Sequence, residues 1–365
     1  ASDIHIEPFE NQLKVRYRID GILHEIEPPP RHFKAAIISR LKILAQLNIA
    51  ERRLPQDGRI KVKIAGKDVD LRVATVPTLY GESVVIRLLE RSQIFTDLEF
   101  LGFPAAMLQR FSEMISKPHG MILVTGPTGS GKTTTLYAAL QKINDPGKKI
   151  ITIEDPVEYQ LAGVNQIQVK PQIGLTFANG LRSIVRQDPD IIMVGEIRDF
   201  ETAEIAIQAA LTGHLVLSTL HTNDAAGAIS RLLEMGVQDY LLASSLLGVL
   251  AQRLVRRLCP ACREQVQFPA PGVEGFDGDL PATVWEARGC DACSGTGYLG
   301  RIGIFELLPV SAEICKLIVQ RADANAIRGL AIAQGMRLLR ANGWEKVRDG
   351  ISTLAEVLRV TREEG

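Results

Sequence analysis

Four short runs of apolar, β-branched residues occur in the middle of the chain, and segments with helical spacing separate them. The predicted strands are residues 121–125, 150–153, 191–194 and 215–218. Continuous apolar runs of this length are typical of strands that are buried on both faces. Strands that alternate with helices predict a parallel sheet covered by helices on both sides. We therefore predict an α/β domain in this part of the chain.

The first 97 residues show a different pattern, in which apolar and polar residues alternate. The alternation predicts half-buried strands at residues 13–19, 59–64, 69–76 and 84–89. After three prolines at 28–30, an amphipathic helix is predicted with one apolar stripe, made by Phe33, Ile37, Leu41, Leu44 and Leu47. These elements predict a smaller α+β domain that precedes the α/β domain.

After residue 237 the pattern predicts mainly helices. An apolar-rich helix is expected over 238–255, and a helical pattern from about residue 303 to the end, with helices at 314–319, 327–333 and 354–360. These changes of pattern divide the chain into five predicted segments: an α+β domain at 1–97, a linker at 98–105, an α/β core at 106–257, a cysteine-bearing module at 258–297 and a helical segment at 298–365.

Composition narrows the classes of protein that fit. The chain has 365 residues, 46% of them apolar, enough for two or three domains with sizeable cores. The 42 basic and 42 acidic residues cancel, and aromatic residues make up 5%, which argues against a nucleic-acid channel. No run of about 18 uncharged apolar residues and no signal sequence is present, so we expect a cytoplasmic protein.

We predict a nucleotide-binding loop directly after the first predicted strand of the α/β domain. Residues 126–133 read GPTGSGKT and match G-x-x-x-x-G-K-[ST] at every fixed position. The glycines let backbone N–H groups curl around an anion, and Lys132 and Thr133 suit the β- and γ-phosphates and Mg²⁺. A strand before and a helix after the motif argue against a chance glycine-rich turn. The predicted ATP-binding residues are Gly126, Pro127, Thr128, Gly129, Ser130, Gly131, Lys132, Thr133 and Thr134.

Polar clusters follow each of the other predicted strands of this domain. Because the carboxyl ends of parallel strands meet at one edge of a sheet, these clusters should converge on the phosphates. Glu196 is predicted to polarise the attacking water and, with Glu154 and Thr133, to contact Mg²⁺. His221 is predicted to sense the γ-phosphate. Glu158 either joins the Mg²⁺ and water contacts or is a solvated loop carboxylate.

Four of the five cysteines form two C-x-x-C pairs, 27 residues apart. Cys259, Cys262, Cys290 and Cys293 can wrap one tetrahedral Zn²⁺, and four protein ligands would make it structural rather than catalytic. Redox pairs or buried free thiols are the alternatives. Cys315 lies in a helical apolar pattern and is predicted to be a core residue.

The motifs of this domain and their order resemble those of the secretion ATPases of the type II secretion and type IV pilus superfamily. The motifs are the phosphate loop, EDPVEY, VGEIRD and TGHLVLSTLHTND. The resemblance extends over essentially the whole chain, through ASDIHIEP, RRLPQDGR, the tetracysteine and GYLGRIGIFELLPV. The resemblance implies a RecA-like P-loop ATPase core, preceded by a second N-terminal, PAS-like domain and followed by a zinc subdomain and C-terminal helices. It further implies a homo-hexameric, Mg-dependent ATPase that powers pseudopilus assembly and protein export.

Partners and location are also implied only by the resemblance. The ring would act at the cytoplasmic face of the bacterial inner membrane, with platform and adaptor proteins and peripheral membrane association. The adaptor-docking N-terminal domain of the family is missing from this sequence. The zinc module disfavours the pilus-retraction branch, and SSLLGVLAQRLVRRLCPAC favours type II secretion over the alternative, a pilus extension ATPase. A nucleic-acid translocase and a nucleotide-regulated scaffold without turnover fit less well.

Strand register predicts that Arg59 and Arg72 form a cross-strand pair. If the strands at 59–64 and 69–76 pair about residues 65–66, apolar must face apolar, which sets Arg59 opposite Arg72 on the polar face. Like charges in that position repel, so the pair is either splayed and solvated or holds an anion. The resemblance places phosphate-sensing arginines in this domain. We therefore expect this pair to meet the γ-phosphate of ATP, supplied by a neighbouring subunit of a ring.

Overall fold

A computed structural model describes residues 1–64, 67–90, 97–268 and 282–362 of the chain. The predicted turn at 65–66 lies outside the described residues. The chain divides into two compact units, residues 1–95 and 96–365. In the described ranges, no helix has both the length and the apolar character that crossing a lipid bilayer requires.

The first unit is an antiparallel sheet with one helix, which confirms the predicted α+β pattern. Its elements are β1 (Asp3–Pro8), β2 (Leu13–Ile19), β3 (Ile22–Ile26), α1 (Lys34–Leu44), β4 (Gln56–Ile64), β5 (Lys67–Thr78) and β6 (Gly81–Glu90). The strands run in the order β3-β2-β1-β6-β5-β4, and the residues that alternate toward α1 form the hydrophobic core of this unit.

Helix α1 and the segment that follows it bury only part of the predicted stripe, since Ile37, Leu41 and Leu47 are half-buried against the core. Ile38 and Lys42 are its buried residues, whereas Phe33 is 47% exposed and Leu44 is 42% exposed. The helix has apolar residues on most sides, so its pattern does not select one buried face. Lys42 is buried because its ammonium donates to the Glu82 carboxylate at 2.6 Å, which compensates the charge.

The predicted register of β4 against β5 is confirmed, with Arg59 opposite Arg72. Strand β6 extends this row, since Arg87 lies opposite Arg72 on the other side of β5. Arg59 and Arg87 are exposed and Arg72 is half-buried. Arg87 donates to the buried Asp3 carboxylate at 3.0 Å. The polar face of this sheet therefore carries three aligned arginines on adjacent strands.

The second unit alternates strands and helices. Its strands are β7 (Gly120–Thr125), β8 (Ile150–Glu154), β9 (Val164–Gln168), β10 (Ile191–Val194), β11 (Leu215–Leu220), β12 (Leu246–Leu258), β13 (Glu264–Gln267), β14 (Thr283–Glu286) and β15 (Tyr298–Pro309). Its helices are α2 (Ala105–Ile115), α3 (Lys132–Ile143), α4 (Phe177–Ile184), α5 (Phe200–Leu211), α6 (Ala225–Glu234), α7 (Asp239–Ser245), α8 (Ala312–Val319), α9 (Ala324–Ala333), α10 (Leu339–Arg348) and α11 (Leu354–Thr361).

Seven of these strands form one sheet in the order β15-β12-β7-β11-β10-β8-β9. Neighbours are parallel except β15, which is antiparallel to β12. The four strands predicted in this domain are confirmed. A hydrophobic core lies on each face, and β7 supplies Met121 and Leu123 to one and Ile122 and Val124 to the other. This double burial explains why these strands read as continuous apolar runs.

Two stretches predicted to be helical are strands. The helix expected over 238–255 ends as α7 at Ser245, and β12 begins at Leu246. The helical pattern expected from residue 303 begins only with α8, because β15 extends to Pro309. Strand β12 lies between β7 and β15 and is buried on both faces, so its apolar run has no period that separates strand from helix. The helices predicted after β15 are confirmed.

Residues 98–105, predicted as a linker, pack into the second unit. Leu98 and Phe103 are buried in the core beside α3. The Phe103 ring stacks on the Phe305 ring with centroids 3.7 Å apart. This segment is therefore part of the unit that carries the phosphate loop.

Candidate functional site

The loop between β7 and α3 is shaped to enclose a small anion. Gly126, Gly129 and Gly131 have φ angles of +147°, +80° and +88°, which side chains with a Cβ rarely adopt. A Cβ on Gly126 would lie 2.5 Å from the Gln252 carbonyl oxygen. The buried Ser130 hydroxyl has no hydrogen-bond partner among the described residues. A loop with glycine at its crowded positions and with an unused hydroxyl donor fits a phosphate group.

Lys132 supplies a buried cation at the start of α3. Its Nζ donates to two carbonyl oxygens of the loop, at 2.7 and 3.1 Å. Burial lowers the pKa of Lys132 to about 8; the Glu196 carboxylate acts in the opposite direction, and Arg253 adds to the lowering. The neighbouring Thr133 is exposed, so its hydroxyl is available to a metal ion. A partly desolvated ammonium at a helix N-terminus is suited to bind phosphate oxygens.

Glu196 and His221 follow neighbouring strands, β10 and β11, and the structure brings them together. His221 Nε2 lies 3.4 Å from Glu196 Oε2, and Arg198 donates to the other oxygen at 2.5 Å. The Glu196 side chain is 14% exposed and that of His221 is 47% exposed. A carboxylate and an imidazole in contact with both each other and solvent can orient a water molecule beside a phosphate.

Glu154 lies at the end of β8 but points into the protein. It is 3% exposed, and its Oε2 accepts a hydrogen bond from the Tyr137 hydroxyl. Its Oε1 accepts from the Thr152 hydroxyl and the Gln166 amide. Burial raises the pKa of Glu154, and these hydrogen bonds offset only part of the rise. Both oxygens have protein donors, and the predicted contact of Glu154 with Mg²⁺ stays a prediction.

The loop that carries His221 is tied to β7 and β12. The Thr222 backbone N–H donates to Thr125 Oγ1 at 2.9 Å, and the two hydroxyls lie 2.7 Å apart. The buried Arg253 donates to the Asn223 carbonyl oxygen at 2.7 Å. Because Thr222 and Asn223 directly follow His221, these bonds fix where the imidazole can lie.

Sequence reasoning missed Gln252 and Arg253, which support the phosphate loop from β12. Gln252 accepts a hydrogen bond from Thr135 of α3 at 2.7 Å, and its amide nitrogen would be 2.8 Å from a Cβ on Gly131. These residues were overlooked because β12 was interpreted as a helix. A local signal existed, since they are adjacent polar residues inside an apolar run.

The four predicted cysteine ligands are brought together. Their Sγ atoms lie within 4.8 Å of one another, with Cys259–Cys290 at 3.9 Å and both Cys262–Cys293 and Cys290–Cys293 at 3.8 Å. Tetrahedral zinc with bonds of about 2.3 Å would set sulfurs about 3.8 Å apart. Although burial raises the pKa of Cys293, backbone N–H groups of Cys290 and Gly297 lower it to about 6. The spacing of these four sulfur atoms fits zinc.

The module around the cysteines docks on the C-terminal helices. Strands β13 and β14 pair as a hairpin, and residues 269–281 between them lie outside the described residues. Arg263 stacks on Trp285 at 4.6 Å and donates to the Gly350 carbonyl oxygen at 2.7 Å. Cys315 lies apart from the tetrad in α8, where its thiol donates to the Ala243 carbonyl oxygen.

The remaining predicted site residues have the following places. Arg59 and Arg72 lie in the aligned row of the first unit, and their contact with a γ-phosphate stays a prediction. Glu158 is half-buried, and its backbone N–H donates to the Tyr137 hydroxyl at 3.4 Å. Pro127, Thr128 and Thr134 are exposed on the phosphate loop and the first turn of α3.

A phosphate loop after an inner strand of a mainly parallel sheet, with an acid just beyond the end of the nearby strand β10, is the arrangement of RecA-like folds of the P-loop class. The Type II/IV secretion system protein family matches residues 1–359, and the chain belongs to that family. It is 58% identical to type II secretion system protein E of Xanthomonas campestris pv. campestris over 368 residues, covering all of this chain and 65% of that protein. The chain thus spans just under two thirds of that relative.

Two further comparisons support the family and the fold. The chain is 54% identical to the type IV pilus assembly ATPase PilB of Myxococcus xanthus, over 98% of this chain and 64% of that protein. The solved structure of the pilus retraction motor PilT with bound ADP is similar with a TM-score of 0.64 and 27% identity. That similarity covers 99% of this chain and 93% of PilT.

The lowered pKa of Lys132 predicts that ATP binding depends on pH. Below about 8 the ammonium is charged and attracts phosphate, and this attraction is lost as pH rises through that value. We expect the Kd for ATP, measured by calorimetry, to rise by about tenfold between pH 7 and pH 9, since about a tenth of a group stays protonated one unit above its pKa.

Lys132→Arg is the matched control for this pH dependence, because arginine keeps its charge across the same range. Its Kd for ATP should be weaker overall but nearly constant between the two pH values. A wild-type Kd that does not change between pH 7 and pH 9 would show that Lys132 titrates outside this pH range or does not contact the phosphates.

Proposed function

We propose that this chain is the ATPase part of a motor that hydrolyses Mg-ATP to power pseudopilus assembly and protein export by a type II secretion system. One observation carries the proposal: Glu196 and His221, in contact at 3.4 Å, follow strands β10 and β11 at the same edge of the sheet as the phosphate loop after β7. Membership of the secretion ATPase family supports the same reading.

Each side chain has a proposed role at the ATP phosphates. Lys132 binds β- and γ-phosphate oxygens, and Thr133 and Glu196 would hold Mg²⁺, which would neutralise charge on the phosphates. Glu196 also orients the attacking water, and His221 reports whether a γ-phosphate is present. Glu154 would be a further carboxylate near this Mg²⁺. The backbone N–H groups of the loop replace water around the phosphates.

The ring and its surroundings are also proposals. We propose a homo-hexamer at the cytoplasmic face of the bacterial inner membrane, in peripheral contact with platform and adaptor proteins and without nucleic acid. Formal net charge is zero, which supports the exclusion of a nucleic-acid track.

A type IV pilus extension ATPase is the second candidate function. The 54% identity to PilB over nearly the whole chain favours it almost as strongly as the 58% identity to the Xanthomonas secretion protein favours export. Both candidates need the same ATP chemistry. They differ in the fibre that is assembled, which deletion of the gene in its host, with assays of exported protein and of pili, would distinguish.

Replacing Lys132 and Glu196 separately tests the proposed chemistry. Lys132→Ala should weaken ATP binding, because it removes a cation that pairs with ground-state charge. Glu196→Gln should keep ATP bound but lower kcat by about a hundredfold or more, because the water loses its base. Kd is measured by calorimetry and kcat by phosphate release.

The matched control is Lys142→Ala, which removes an exposed lysine from the same helix. It should leave both Kd and kcat near the wild-type values. If Glu196→Gln released phosphate at the wild-type rate, the role assigned to Glu196 would be wrong.

We propose that the tetrad binds about one structural Zn²⁺ per chain. Cys290→Ser should lose the metal and unfold mainly residues 258–297, since metal binding supplies the folding energy of such modules. ATP binding by the subunit should persist. Elemental analysis and limited proteolysis measure these effects, with Cys315→Ser, a thiol outside the tetrad, as the control. Protein prepared without chelator that contained no zinc would contradict the proposal.

We propose that Arg59 and Arg72 meet the γ-phosphate across a subunit interface. Arg72→Ala should bind ATP but hydrolyse it poorly, because transition-state charge loses a partner. Mixed with Lys132→Ala, it should give rings in which some sites keep both an intact loop and an intact Arg72. Phosphate release by the mixture should then exceed the sum of the two variants alone.

Arg53→Ala, at an exposed arginine of the same unit, is the control and should behave as wild type. Mixed rings could demonstrably form and yet be no more active than the two variants summed. The arginines would then act on the ATP bound by their own chain, or take no part in hydrolysis.

A further inference from the structure

Tyr137 is a buried residue that the proposed chemistry leaves without a role. It lies in α3, the helix that begins with Lys132, and its ring is almost completely inaccessible to solvent. Most buried positions of that helix are aliphatic or alanine, so a hydroxyl there needs polar partners. The structure supplies three of them.

The Tyr137 hydroxyl joins both ends of the acidic segment, residues 154–158. It donates to Glu154 Oε2 at the end of β8. It accepts the backbone N–H of Glu158 and the Gln166 amide, each at 3.4 Å. Gln166, on the edge strand β9, also donates to Glu154 Oε1 at 3.2 Å. One phenol oxygen therefore links the start of the segment, its end and the next strand to α3.

The charges in this cluster fix the direction of the main hydrogen bond. Burial, together with the nearby Glu154 carboxylate, raises the pKa of Tyr137, so the phenol stays protonated and donates. Tyr159 packs edge-on against the Tyr137 ring with centroids 4.5 Å apart, which excludes water from one side. The hydrogen bond to Glu154 is therefore shielded and has no solvent competitor on that side.

We propose that Tyr137 is a positioning residue of the ATPase site, holding the acidic segment 154–158 at a fixed distance from the helix that carries Lys132 and Thr133. The proposal rests on the proposed hydrolysis of Mg-ATP. In the segment, Asp155 is exposed and Glu158 is half-buried, whereas Glu154 serves as the internal anchor. The phenol holds this segment in place while making no contact with nucleotide itself.

Tyr137→Phe removes the hydroxyl and keeps the ring, so the core stays filled. We expect kcat to fall by about tenfold, because an acidic segment that is held less firmly is misplaced for turnover more of the time. The KM for ATP should stay within about twofold, because Lys132 and the loop are untouched. Hydrogen exchange of amides in residues 154–161 should become faster, while the rest of the unit keeps its protection.

Tyr298→Phe is the control, because it also deletes a tyrosine hydroxyl with a hydrogen-bond partner. Tyr298 is half-buried, its hydroxyl lies 2.9 Å from the Thr353 hydroxyl, and neither residue belongs to the phosphate loop or the acidic segment. This control should lower thermal stability by a similar amount and leave kcat and the exchange of 154–161 unchanged. A comparable loss of kcat in both variants would reduce the Tyr137 effect to general stability and overturn the proposal.

The exchange measurement separates failure of this proposal from failure of the proposed function. Wild-type protein that hydrolyses no ATP would overturn the function, and exchange of 154–161 in Tyr137→Phe would still decide whether the segment is held by the phenol. Unchanged exchange there overturns the positioning role whatever the kinetics. Faster exchange with a wild-type kcat in an active enzyme overturns its part in turnover.

Discussion

The position of β7 inside the sheet is the constraint on which the nucleotide site depends. Strands β11 and β12 lie on its two sides, so the loop after β7 is contacted from both. Thr222 reaches it through Thr125 from one side, and Gln252 packs over Gly126 from the other. Glycine is needed at positions 126 and 131 because Gln252 already fills the space that a Cβ would take there. The shape of the phosphate cradle is therefore set by three strands together.

Glu154, the last residue of β8, and Glu196, which follows β10, have different surroundings, and the two carboxylates therefore suit different roles. Glu154 is enclosed and bonded to Tyr137, and burial raises its pKa, which suits a structural anchor. Glu196 lies beyond the end of its strand, in contact with His221 and Arg198 and partly open to solvent. A carboxylate that must handle water needs the second environment, since a fully enclosed one has no water to orient.

Family membership relates this chain both to a type II secretion protein and to a type IV pilus assembly ATPase, and the candidate site does not distinguish between these two relatives. Identity to a secretion protein and to a pilus assembly ATPase differs by only a few per cent over almost the same residues. The proposed ATP hydrolysis would make the same demands on Lys132 and Glu196 in either case. Choice of fibre must depend on contacts made elsewhere, because nothing in the phosphate chemistry selects a transported subunit.

The sequence by itself determined the features that depend on local spacing. These are the phosphate loop, the four strands of the ATPase core, the tetracysteine and the pairing of Arg59 with Arg72, since pattern and turn length fix register. Tertiary structure alone decided that residues 246–258 form a strand and that Glu154 points inward. An apolar run buried on both faces has no period, and the direction of a carboxylate at a strand end depends on partners such as Tyr137, distant in sequence or on another element.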